Sequence, residues 1–137
     1  MKVLIADDSA FMRSALSELL GGRGWTLRTA KNGADVLEQI RSFQPDVVTL
    51  DINMPVMDGL TCLAHIMTEC PCPVLMLSSL TSEGAMATLE ALNMGAVDYI
   101  TKPGGTVSLN LADIRGVLIQ KIEAAARARP HRGARAA

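Results

Sequence analysis

Five short apolar runs alternate with five longer segments whose apolar residues recur every three or four positions, and this alternation leaves few folds open. The runs are Val3-Leu4-Ile5-Ala6, Trp25 to Ala30, Asp46 to Leu50, Pro73 to Leu77 and Ala96 to Ile100. The first, third and fourth are apolar on successive residues, as expected of strands covered on both faces. The second mixes polar and apolar residues and suits a sheet edge.

The intervening segments carry helical stripes. Ser9 is placed to cap the first, in which Met12, Ala15, Leu16, Leu19 and Leu20 recur before Gly21-Gly22 closes it in a left-handed turn. Val36, Leu37, Ile40 and Phe43 form the second stripe, stopped by Pro45, and Leu60, Leu63, Ala64 and Met67 form the third, stopped near Pro71. Thr81 or Ser82 opens the fourth, with Met86, Leu89 and Leu92 expected inward and Gly95 at its end. The fifth is expected from about Ala112 to Ala128, with Ile114, Val117, Leu118, Ile122 and Ala125 inward.

Strictly alternating strands and helices favour right-handed crossovers, a parallel sheet and helices on both faces. The expected fold is therefore α/β and doubly wound, a five-stranded parallel sheet of order 2-1-3-4-5 with five helices. In that order ligands bind beyond the carboxyl ends of the first and third strands. The 137 residues suit one domain, expected over 1–128, with 129–137 as a linker or disordered tail.

Bulk properties exclude several classes. A net charge of −1 produces no field that selects nucleic acid or an anionic membrane. Beyond Glu123 the only charged residues are Arg127, Arg129, Arg132 and Arg135, without the aromatic or helical patterning of a nucleic-acid reader. The uncharged stretch from Cys70 to Ser82 contains Pro71 and Pro73 and falls far short of the ~20 apolar residues of a membrane helix. No hydrophobic leader precedes Asp7, and Cys62, Cys70 and Cys72 lack the paired spacing of a zinc or redox motif, so a cytoplasmic protein with reduced thiols is expected.

The topology places chemistry at one sheet edge. Asp7-Asp8 follows the first run and Asp51 the third, so three carboxylates converge at the switch point. Such a cluster repels itself unless a cation or proton enters, and magnesium, which takes a few carboxylates and keeps exchangeable waters, is the natural occupant. Ser78 after the fourth run and Lys102 after the fifth bring a hydroxyl and an ammonium to the same rim, both suited to a phosphoryl group. Singly, each residue has an ordinary alternative: Asp7, Asp8 and Ser9 as turn and cap, Asp51 as a turn residue, Lys102-Pro103 as surface loop, Ser78 as a satisfied hydroxyl. Jointly they point to phosphoryl transfer onto Asp51.

Four segments carry a resemblance: Val3 to Ser9, Asp51 to Gly59, Leu77-Ser78-Ser79, and Tyr99-Ile100-Thr101-Lys102-Pro103. Together they resemble the receiver domain of two-component response regulators, a flavodoxin-like fold, over residues 2 to about 125. The resemblance implies a histidine kinase as phosphodonor and Asp51 as acceptor. It implies magnesium at Asp8, Asp51 and the Asn53 backbone carbonyl, with Asp7 acting partly through water. Ser78 and Tyr99 would be a coupled switch pair, and Lys102-Pro103 would hold a cis peptide.

A narrower resemblance lies in Asp8 to Arg13, Ser78 to Thr81 and Gly95 to Pro103, which are similar to the regulatory domain of chemotaxis protein-glutamate methylesterases. In that family a C-terminal esterase acts on chemoreceptors and the unphosphorylated receiver covers it. Two departures stand out: Asn53 occupies a position where many methylesterase receivers have a carboxylate, and Gly104 to Asn110 exceeds a minimal receiver loop. No G-x-S-x-G elbow occurs, and the only histidines are His65 and His131, so no esterase triad is expected in this chain. The competing expectation is a stand-alone or transcription-factor receiver with a protein or DNA-binding output.

Overall fold

Five parallel strands and five helices follow one another in strict alternation. The strands are β1 (Lys2–Ala6), β2 (Thr26–Ala30), β3 (Val47–Asp51), β4 (Val74–Ser78) and β5 (Asp98–Thr101). The helices are α1 (Ala10–Leu20), α2 (Gly33–Phe43), α3 (Gly59–Glu69), α4 (Ser82–Met94) and α5 (Leu111–Arg127). This computed structural model describes residues 1–54, 57–78, 81–102 and 111–128. The expected tail 129–137 and the long loop from Gly104 to Asn110 lie outside the described residues.

The sheet order is β2-β1-β3-β4-β5, as expected, with every neighbouring pair parallel. Successive strand residues point to opposite faces, so each central strand feeds two cores. Val3, Ile5, Val47, Leu75 and Leu77 pack with Leu16 and Leu20 of α1 and Leu118 and Ile122 of α5. Leu4, Ala6, Val48, Leu50, Val74 and Met76 pack with α2 and α3 through Val36, Ile40, Leu63 and Ile66. Every residue of β3 and β4 is buried, while β2 is mostly exposed at the edge.

Polar side chains begin α1 to α4, and glycines end α1 and α4. Ser9, Asn32, Asp58 and Thr81 cap α1 to α4 by accepting from the backbone N–H three residues on. Gln44 ends α2 in the left-handed region, and Gly95 ends α4 at φ 124°. After α1, positive φ falls at Gly22 and not Gly21, whose φ of −72° is ordinary.

The face of α4 is rotated from the expected one, while α3 and α5 keep their expected stripes except at single positions. In α4 the buried residues are Gly84, Thr88 and Ala91, whereas Met86 and Leu89 are 70% and 61% exposed. Thr88 tolerates burial because its hydroxyl donates to the Gly84 carbonyl at 2.8 Å. In α3 the core residues are Cys62, Leu63 and Ile66, with Ala64 outside; in α5 Ile119 is buried and Val117 exposed. The three cysteines are free, and burial pushes the Cys62 and Cys72 thiols up to about 12, which keeps them protonated and inert.

Close approach fixes one glycine. Gly59 opens α3 beneath the end of β3, donating its N–H to the Ile52 carbonyl at 2.7 Å. A Cβ there would collide with the Asp51 carbonyl oxygen and come within 2.6 Å of Ile52 Cα, so backbone would have to move. Gly59→Ala is expected to lower urea stability by about 1–3 kcal/mol. Gly116 in α5 has open space around its Cα, so Gly116→Ala is expected to stabilise by about 0.5–1 kcal/mol in the same assay.

Candidate phosphoacceptor site

Parallel pairing of β1 with β3 brings their carboxyl ends side by side, Ala6 opposite Leu50. Asp7 therefore emerges beside Asp51. Both Asp51 and Ser78 are the last residues of their strands and do not follow them, because pairing continues one residue further: Asp51 with Leu77, and Ser78 with Thr101. The Ile52 N–H also donates to the Leu77 carbonyl at 3.2 Å, which holds the chain extended past Asp51.

One carboxylate oxygen each from Asp7, Asp8 and Asp51 lies within 4.8 Å of the others. Asp7 and Asp51 are buried and Asp8 is exposed, so the cluster opens to solvent at Asp8. Asp7 is pinned from three sides: Oδ1 accepts from the Ser9 N–H at 2.9 Å, its N–H donates to the Ala30 carbonyl at 3.1 Å, and its carbonyl accepts from Arg13 Nη1 at 2.9 Å. Its other oxygen, Oδ2, is buried and accepts no hydrogen bond from the described residues. The Lys102 ammonium stands 3.5 Å from that oxygen as a charge contact and 3.0 Å from Asp51 Oδ1, which also accepts from the Asn53 N–H at 3.3 Å.

These contacts set the ionisation of the pair. Burial pushes the Asp51 carboxyl up, the Asp7 charge adds to it, and the Lys102 charge and hydrogen bond only partly offset them, leaving a pKa of about 6 against an ordinary 3.8. Burial alone would pull Lys102 down, but the Asp51 and Asp7 carboxylates overcome it and hold the ammonium above its usual range. The three close carboxylates form a hard oxygen donor set that fits a small divalent cation, with the Lys102 ammonium beside it as a partial counter-charge.

Ser78 and Tyr99 line one cleft of about 370 Å³ between α4 and β5, together with Thr81, Ala85, Thr88, Leu89, Leu92 and Thr101. Ser78 is buried and its carbonyl accepts the Lys102 N–H at 2.8 Å; Tyr99 points outward, 40% exposed. Asn53 is exposed beside Asp51, and His65 is a surface residue paired with Glu69 at 2.7 Å. The expected cis peptide at Lys102-Pro103 lies outside the described residues, as does Ser79. Two contributions went unforeseen: Arg13, which anchors the Asp7 backbone, and Lys121 of α5, which reaches Tyr99. A lone basic residue in a helical stripe gives no sign of either contact. Among the described residues no helix is long and apolar enough to cross a membrane.

The chain belongs to the response regulator receiver domain family, whose pattern it matches over residues 3–112. Within that family it is 56% identical over 132 residues to protein-glutamate methylesterase/protein-glutamine glutaminase 3 of Rhodospirillum rubrum, covering 96% of this chain and 36% of that protein. It is 52% identical over 130 residues to the protein of the same name from Vibrio cholerae, covering 94% of this chain and 36% of that one. The response regulator domain of Thermotoga maritima CheB superposes with a TM-score of 0.86 at 42% identity, covering 95% of this chain and 98% of that domain. The chain thus spans about a third of the length of the curated relatives it matches.

The raised Asp51 pKa has a thermodynamic sign. The folded state holds this proton more tightly than the unfolded chain, so the stabilisation is full below 3.8 and lost as pH rises through about 6. Above that range Asp51→Asn is expected to stabilise the metal-free protein by up to about 3 kcal/mol. The difference should vanish as pH falls toward 3.8, in urea titrations of parent and variant at matched pH.

Proposed function

We propose that Asp51 accepts a phosphoryl group from a histidine kinase, and that its phosphorylation governs a C-terminal methylesterase in a longer protein. The observation that carries this reading is the convergence of Asp7, Asp8 and Asp51 within 4.8 Å, with the Lys102 ammonium 3.0 Å from the acceptor. Both described contacts to the Asp51 carboxylate fall on Oδ1, so Oδ2 is the oxygen offered to incoming phosphorus. It attacks the phosphorus of a phosphohistidine; the new P–O bond forms as the P–N bond breaks, and the imidazole leaves to take a proton from solvent.

Asp8 and Asp51, with the Asn53 backbone carbonyl, would hold magnesium, and Asp7 would act through a bound water. When bound, magnesium neutralises the repelling carboxylates and the charge on the transferred oxygens. Lys102 holds a phosphoryl oxygen as a point charge, and the Ser78 hydroxyl donates to another. Tyr99 then turns into the cleft beside Ser78. Residues 1–128 would form the receiver domain and 129–137 a linker or tail. The relatives' names favour protein-glutamate methylester hydrolysis as the regulated output over a DNA-binding one.

Beryllofluoride with magnesium, or acetyl phosphate with magnesium, is expected to shift backbone NMR signals around Asp51, Ser78 and Lys102. Asp51→Asn should abolish that response while keeping the parental fold. An equal response from the variant would place the acceptor elsewhere.

A further inference from the structure

We propose that Lys121 of α5 is a latch that holds Tyr99 outward and so sets the resting balance of the Ser78–Tyr99 switch. Its Nζ donates to the Tyr99 carbonyl at 2.8 Å and to Asp98 Oδ1 at 3.3 Å, and it stands 5.1 Å from the centroid of the Tyr99 ring. Asp98 Oδ2 is also 3.3 Å away, so the carboxylate is engaged by both oxygens.

These contacts differ in what they depend on. The Tyr99 carbonyl and the Asp98 carboxylate belong to groups that stay in place when the tyrosine side chain rotates. They fix the ammonium whichever way the ring points. The ring gains the cation's attraction only in the outward rotamer, over the face of α5. The cleft of about 370 Å³, which Tyr99 borders together with Thr88, Leu89, Leu92 and the Ser78 end of β4, offers the alternative place.

Without the cation, the outward ring would keep 40% exposure and no compensating partner among the described contacts, while the cleft would offer apolar burial. The latch thus opposes entry of Tyr99 before any phosphoryl group arrives. Its connection to signalling rests on the reading of Asp51 as acceptor; its effect on the ring does not. A partly exposed cation over an aromatic face shifts such a two-state balance by about two- to fivefold.

The chain contains one tyrosine, so incorporation of meta-fluorotyrosine yields a single fluorine resonance that reports Tyr99 alone. In the full chain without metal, the solvent isotope shift of that resonance between H₂O and D₂O measures ring exposure. Lys121→Met, which keeps an apolar stem and removes the charge, is expected to reduce the isotope shift. Lys121→Arg, which keeps a cation over the ring, should stay close to the parent.

With magnesium present, half-saturation by beryllofluoride should fall about two- to fivefold in Lys121→Met and remain parental in Lys121→Arg. A parental isotope shift and parental half-saturation in Lys121→Met would overturn the latch, even if its melting temperature fell, since a plain tether of α5 to β5 predicts that pattern. If the parent's fluorine signal ignored beryllofluoride, the Asp51 reading would fail, while the isotope shift would still decide whether Lys121 holds the ring.

Discussion

Mutual repulsion among Asp7, Asp8 and Asp51, crowded within 4.8 Å at the reversal of strand order, is held in place by the most buried part of the molecule. β1, β3 and β4 supply the rigidity: their apolar residues are almost fully excluded from solvent and feed one core on each face of the sheet. A cluster of like charges persists only where its scaffold cannot relax, and here the relaxation routes are closed by backbone pairing on both sides of Asp51. Lys102 removes part of the repulsion. The rest is a standing affinity for positive charge.

That scaffold explains how the chemistry and the surface are connected. Asp51 and Ser78 end adjacent strands, Lys102 follows the next one, and the Lys102 N–H is tied to the Ser78 carbonyl. A change of charge at Asp51 reaches Lys102 directly and the β4–β5 edge through that hydrogen bond. Tyr99 stands on the same short strand, so the site and the outward face of α4, β5 and α5 share one backbone segment.

Much of this could be read from residue order alone, for physical reasons that also define where such reading stops. Successive apolar residues in Val3 to Ala6 and Pro73 to Leu77 meet two cores, so central strands and their order were recoverable, and with them the meeting of Asp7, Asp8, Asp51 and Lys102. β3, β4 and β5 end one residue later than expected because pairing partners, not local composition, decide where a strand stops. The face of α4 was misassigned because periodicity reveals a stripe without saying whether the stripe meets the core or solvent. Met86 and Leu89 form such a stripe on the outside, and Thr88 sits inside because a backbone carbonyl satisfies its hydroxyl. Lys121 was beyond reach, since its partners are Asp98 and Tyr99 on a separate element.

The fully buried residues of α4 are the small Gly84, Thr88 and Ala91, and its larger core-facing side chains, Leu92 and Met94, are only partly buried. Its grip on the sheet is correspondingly shallow, because few methyl and methylene groups interdigitate with β4. Sliding or rolling this helix leaves no large hole behind, unlike the displacement of α2 with Val36, Ile40 and Phe43 seated beneath it. Within an otherwise stiff body, α4 therefore lies along a soft direction. Slow hydrogen exchange belongs to the central strands, and the shallow helix beside the cleft is where low-energy openings concentrate.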